Sequence, residues 1–167
     1  MVELDKFLPQ QKLRHVGIFD FKEVYRICYE WFINEGYDVA EKSYVEKVGQ
    51  KGKEIEIVWV AVRKVSDYFR FQIKSTWHIL GLNDIEVEEN GRKIKMNQGD
   101  LEIRFDVILE KDYESRWEDN ALLKFLRGVY DKHIIQARID KYETKLVEEV
   151  NEVITQVKSF LALSMTR

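Results

Sequence analysis

Residues 53–65 read Lys-Glu-Ile-Glu-Ile-Val-Trp-Val-Ala-Val-Arg-Lys-Val, and residues 68–80 read Tyr-Phe-Arg-Phe-Gln-Ile-Lys-Ser-Thr-Trp-His-Ile-Leu. In the second stretch Phe69, Phe71, Ile73, Trp77 and Ile79 alternate with Arg70, Gln72, Lys74, Thr76 and His78, the period-two pattern of a strand with one buried and one wet face. In the first, both faces are apolar from Ile57 to Val62, which predicts a central strand covered on each side. Ser66-Asp67 turns the chain between them. Upstream, Val39–Val48 is rich in Lys and Glu, as befits a sheet edge that charge protects from further pairing, and Gln50-Lys51-Gly52 makes the turn. Downstream, Gly81–Asp84 reads as a loop. Ile85–Glu89 and Arg92–Met96 flank Asn90-Gly91, a type I′ hairpin signal. Asn97-Gln98-Gly99-Asp100 reads as a further turn before Leu101, Ile103, Phe105, Val107 and Leu109 line a last strand. About six strands in meander order favour antiparallel pairing between Val39 and Glu110.

Helices flank this run. Residues 1–19 are a mixed lead-in with a short strand around Leu13–Phe19. Asp20-Phe21-Lys22-Glu23 then forms a carboxylate cap with Glu at N3. Phe21, Val24, Tyr25, Cys28, Trp31 and Phe32 follow at helical spacing, and Gly36 is placed to end the helix. Ser115-Arg116-Trp117-Glu118 is a second capping box. It precedes a helix with Leu122, Leu123, Phe125, Leu126, Val129 and Tyr130 on a wide apolar face, for which core burial is the expectation. Gly128 and His133 mark a bend. From about Ile134 to Leu163 a stripe runs through Ile139, Tyr142, Leu146, Val150, Val153, Val157 and Phe160. Thirty residues at 1.5 Å rise give about 45 Å, against roughly 40 Å for the whole globule. Packing along the sheet is the simplest use of that length. Pairing of Leu146, Val150, Val153 and Val157 with a second subunit is the alternative. The predicted class is α+β, a single domain over 1–167: an N-terminal helix, a curved antiparallel sheet, then a short and a long helix packed across it.

The chain is 45% hydrophobic and 34% charged with a net charge of −3, so no basic field favours nucleic acid. The single cysteine, Cys28, excludes an internal disulfide and fits a reducing compartment. Every apolar run meets a charge before about 18 residues, and residues 1–17 lack a signal-peptide pattern, so the cytoplasm is expected. His15, His78 and His133 are far apart in sequence, with no ligand-spaced pair and no cysteine cage for zinc. No GxSxG elbow or Gly-rich phosphate loop occurs, and Cys28 falls on an apolar helix face. Asp112, Glu114, Glu118 and Asp119 cluster beside Tyr113 and Trp117; helix capping explains them more economically than acid–base catalysis. No cofactor is expected.

The aromatic residues on the strands make the candidate site. Trp59, Phe71, Trp77 and Phe105 share sheet faces, and Arg63 continues the Ile55, Ile57, Trp59, Ala61 face with a charge. In a cavity between sheet and long helix, the aromatics would hold an apolar tail and Arg63 an anionic head. Alternatively, Arg63 snorkels to water at the strand end. The order of elements is similar to helix-grip domains of the START/Bet v 1 type, with one helix instead of two before the main sheet and an extra helix before the last. That resemblance implies a hydrophobic ligand. The expected function is a non-enzymatic binding domain for a small hydrophobic or amphipathic molecule. The alternative is an assembly subunit that self-associates through the long helix or a sheet edge. Lys124 and Arg127 leave peripheral membrane contact through 120–130 as a less favoured use of the short helix.

Overall fold

The computed structural model describes residues 6–111, 113, 121–133 and 136–165. In chain order these form β1 (Lys6–Phe19), α1 (Phe21–Asn34), β2 (Asp38–Gly49), β3 (Gly52–Lys64), β4 (Phe69–Glu89), β5 (Arg92–Lys111), α2 (Ala121–His133) and α3 (Gln136–Met165). The strands build a five-stranded antiparallel sheet in the order β1-β5-β4-β3-β2. The α+β class is as expected, and β2 is an edge. Because β1 and β2 are opposite edges, α1 carries the chain from one side of the sheet to the other.

Two expectations are corrected. The strands number five, and the short strand expected around Leu13–Phe19 is a full edge strand, Lys6–Phe19, so the main sheet starts before the first helix instead of after it. The six-strand reading cut two long strands in half: β4 runs through Gly81–Asp84 and β5 through Asn97–Asp100. Pairing shifts there from Leu80↔Asp100 to Asn83↔Gln98, a bulge where a loop and a turn were predicted. Gly81 takes φ 61°, and a Cβ on Gly99 would lie 3.2 Å from the Leu80 carbonyl oxygen. The glycines serve the bulge. β1 was hidden by its polar half: Leu13 and Phe19 are buried while Lys12 and Arg14 face solvent.

Local signals elsewhere act as read. Asn90 (φ 51°) and Gly91 (φ 76°) close the β4–β5 hairpin. Asp20 caps α1 by accepting the Glu23 amide at 3.2 Å, although the Glu23 carboxylate pairs with Arg26 instead of completing a box. At the other end, the Tyr37 and Gly36 amides donate to the carbonyls of Phe32 and Ile33, with Gly36 at φ 83°. This is a Schellman stop. Gly52 has φ 130°, and a Cβ there would sit 2.8 Å from backbone atoms of Gly81 and Leu82. Gly52→Ala is expected to destabilise by about 1–3 kcal/mol, read as a lower urea midpoint at unchanged slope.

One face of the sheet carries the core. Ile57 and Trp59 of β3, Ile73 and Trp77 of β4, and Ile103 and Phe105 of β5 are buried there. Val24, Cys28, Trp31 and Phe32 of α1 cover them, beside Leu146, Val150, Val153 and Val157 of α3. On the opposite face Val58, Val60 and Val62 are only half-buried, so β3 is not covered on both sides. Their cross-strand neighbours are Thr76, Lys74 and Gln72 on β4 and Ser43, Ala40 and Asp38 on β2. α3 runs from Tyr142, whose ring lies 4.9 Å from that of Phe69, to Ser164 beside Ile94 and Met96 of the hairpin.

The short helix departs from expectation. Leu122, Leu123, Phe125, Leu126 and Val129 of α2 are between 37% and 67% exposed, where core burial was predicted. α1 and α3 already cover the core face, so α2 lies outside it. The carboxylates at 112, 114, 118 and 119, with the Ser115–Glu118 capping box, fall outside the described residues. Tyr113 donates to the Ser66 carbonyl at 2.9 Å.

Candidate functional site

Trp59, Phe71, Trp77 and Phe105, expected to line a cavity, are each at most 1% exposed and pack within the core. The structure does bring several together. The Trp59 and Trp77 rings lie 5.1 Å apart, and the Arg63 guanidinium sits 5.3 Å from the Phe71 ring centre. Arg63 is engaged by partners within the protein. It donates to the Glu35 carbonyl and to Glu149 Oε1, both at 2.6 Å, and lies 4.7 Å over the Tyr37 ring. Tyr37 donates to the other Glu149 oxygen at 2.6 Å. This buried cluster ties the end of α1 to β3 and to the middle of α3. Glu149 was not singled out from the sequence, although it interrupts the apolar stripe of α3 between Leu146 and Val150. Leu146, Val150, Val153 and Val157 are each 0% exposed within one chain, so that stripe is core.

Cys28 is also fully buried, and burial pushes its thiol up far from reactivity. Iodoacetamide is expected to leave Cys28 unmodified in the folded protein and to alkylate it fully in urea, as read by intact mass.

One cavity among the described residues lies beside α1, at the hairpin end of the core face, with a volume of about 680 Å³. That is within the usual size of small-molecule sites. Five elements build it: the start of α1, then β2, β3, β4 and β5. Ile55, Leu82 and Met96 make an apolar floor, and Phe21, Tyr25 and Tyr44 supply aromatic walls. Each wall residue is placed by a local rule. Asp20 starts the helix, so Phe21 and Tyr25 lie one turn apart, edge to face with ring centres 6.3 Å apart. Tyr44 shares a face with Ile57 across the β2–β3 ladder. Tyr25 stands edge-on to Trp59 at 4.8 Å, and both donate to Glu41 Oε2, at 2.6 and 3.0 Å. Burial, then the bond to Glu41, pushes the Tyr25 hydroxyl up to about 12, so it stays a neutral donor at physiological pH.

The rim is charged but unevenly satisfied. Asp20 caps α1. Asn97 accepts the Phe21 amide at 3.0 Å and donates to Asp84 at 2.8 Å, which fastens β5 and β4 to the helix start. Glu46 pairs with Lys53 at 3.0 Å; that hydrogen bond and charge hold the Lys53 ammonium above its ordinary range. Lys22 and Lys95, both exposed, make no ion pair among the described residues. The carboxylates of the rim are therefore engaged while two ammonium groups are not, and the helix start adds partial positive charge. None of these cleft residues belongs to a catalytic or ligand-binding sequence motif.

Among the described residues, no group of three or more His, Cys, Asp or Glu side chains is placed to hold a metal ion, and no helix is long and apolar enough to cross a membrane. Comparison with protein-family models, curated proteins and solved structures finds no match to this chain.

Proposed function

We propose that the protein is a binding domain, without chemistry of its own, for a small amphipathic molecule bearing an anionic head. The ligand sits in the cleft between the start of α1, β2–β3 and the β4–β5 hairpin. This places it beside α1 rather than beneath α3, because the residues expected beneath α3 pack against one another. One observation carries the reading: an apolar floor and aromatic walls open onto a rim where Lys22 and Lys95 make no ion pair among the described residues. The apolar tail is held by burial and the head by charge-assisted hydrogen bonds. The strand order, with α1 joining the two edges and a long C-terminal helix on the core face, is in keeping with a helix-grip-like architecture built on five strands. The free, buried Cys28 fits the cytoplasm.

Calorimetric titration with dodecanoate and with dodecanol tests this. Dodecanoate is expected to bind saturably, and Lys22→Glu with Lys95→Glu together to weaken it by about tenfold or more. Dodecanol should be indifferent to that change. Absence of saturable dodecanoate binding, or equal binding by the double variant, sinks the proposal.

A further inference from the structure

A second pocket, of about 470 Å³, adjoins the cleft and shares Lys53, Leu82 and Asp84 with it. The β2–β3 turn and the bulge of β4 build its other walls, with Val48, Gln50, Lys51 and Asn83 bordering it. Asn83 Nδ2 donates to the Lys51 carbonyl at 2.8 Å and to the Gly81 carbonyl at 3.1 Å, which ties the turn to the bulge. Gly52 permits that approach, since a Cβ there would meet backbone atoms of Gly81 and Leu82 at 2.8 Å. Both walls are therefore set by the fold. Of the charged side chains bordering the pocket, Lys53 is paired with Glu46 at 3.0 Å and Asp84 accepts from Asn97 at 2.8 Å. Lys51 is exposed and makes no ion pair among the described residues.

We propose that the ligand is a diacid, an apolar spacer with an anionic group at each end, one end held by Lys22 and the other by Lys51. This rests on the cleft being the ligand site, and it adds a second site for charge. Lys22 borders only the cleft and Lys51 only the pocket, while Leu82 borders both. Each compartment thus offers an ammonium group, and an apolar side chain lies where they join. Distance excludes a compact dianion. Gly52 of the pocket and Ile55 of the cleft floor are three residues apart on β3, about 10 Å of strand. Two charges carried on one head group leave one of the lysines unused, whereas a spacer of that length crosses Leu82 and engages both. A neutral polar end suits Gln50 and Asn83 but gains nothing from the Lys51 charge.

Calorimetric titration of the full chain with dodecanedioate, beside dodecanoate, tests this. The diacid is expected to bind at least about tenfold more tightly than the monoacid, through charge-assisted hydrogen bonds to Lys51. Without a second cationic site the extra carboxylate brings no gain, because it exchanges water for nothing better. Lys51→Glu, and Lys51→Met as a variant of similar length without charge, should each remove the advantage of the diacid. Both should keep the wild-type melting temperature, since the Lys51 side chain is exposed and Asn83 bonds only its backbone carbonyl. Binding of dodecanoate with no gain for dodecanedioate overturns the diacid and leaves the cleft reading standing. A gain that survives both Lys51 variants also overturns it, because the second carboxylate then lies elsewhere. Failure of both ligands to bind overturns the cleft reading and the diacid together.

Discussion

Glu149→Ala is expected to lower folding stability by about 3–5 kcal/mol, the range for removing one partner of a buried ion pair. The Arg63 and Glu149 side chains are 16% and 8% exposed, so water cannot easily replace a missing partner. Without Glu149, the guanidinium keeps only the Glu35 carbonyl and the faces of Tyr37 and Phe71. The Tyr37 hydroxyl, raised first by burial and then by its bond to Glu149, loses its acceptor as well. Replacing both charges, as Arg63→Met with Glu149→Leu, should recover most of the loss, since a well-packed apolar pair needs no desolvation of ions. Urea midpoints of the two singles and the double, at constant slope, give the comparison. A single-variant loss below about 1 kcal/mol, the range of exposed pairs, would mean that water reaches the pair.

Trp77→Ala should cost a similar ~3–5 kcal/mol through the cavity it leaves. Trp77 is 0% exposed, against Trp59 at 5.1 Å and Tyr25 at 6.1 Å between ring centres. Substitution to Phe separates packing from hydrogen bonding. Trp59 donates to Glu41, whereas the buried Trp77 Nε1 has no hydrogen-bond partner among the described residues. Trp59→Phe is therefore expected to lose about 1 kcal/mol more than Trp77→Phe, the usual net worth of one hydrogen bond. Equal losses in thermal or urea unfolding would show that the Glu41 bond contributes nothing.

Where one local rule decides a conformation, the sequence is legible. Asn90-Gly91 can only turn in a particular way, Asp20 and Gly36 bound a helix, and the alternation over 69–79 assigns the inward face correctly. Legibility fails where one composition serves two structures. Gly, Asn and Asp at 81–84 and 97–100 suit a turn and a bulge equally, so two long strands read as four. An apolar helix face looks the same whether it is covered, as on α3, or bare, as on α2. Arg63 reads as a charge on a core face, but its partner lies eighty-six residues away on another element. Only tertiary packing joins them, although Glu149 breaks its own stripe in the same manner. The cleft is harder still. Lys22, Tyr44, Met96 and their neighbours come from separate elements, and each reads alone as ordinary surface or core.

Side-chain methyl resonances of the full protein, followed by NMR during a dodecanoate titration, would locate the ligand directly. Ile55, Leu82 and Met96 line the cleft, while Ile73, Val107 and Leu109 lie deep in the core face. The expected result is a saturable shift of the Ile55, Leu82 and Met96 methyls, with the core methyls little changed. Shifts centred on Ile73, Val107 and Leu109, or no saturable shift anywhere, would contradict a binding site beside α1.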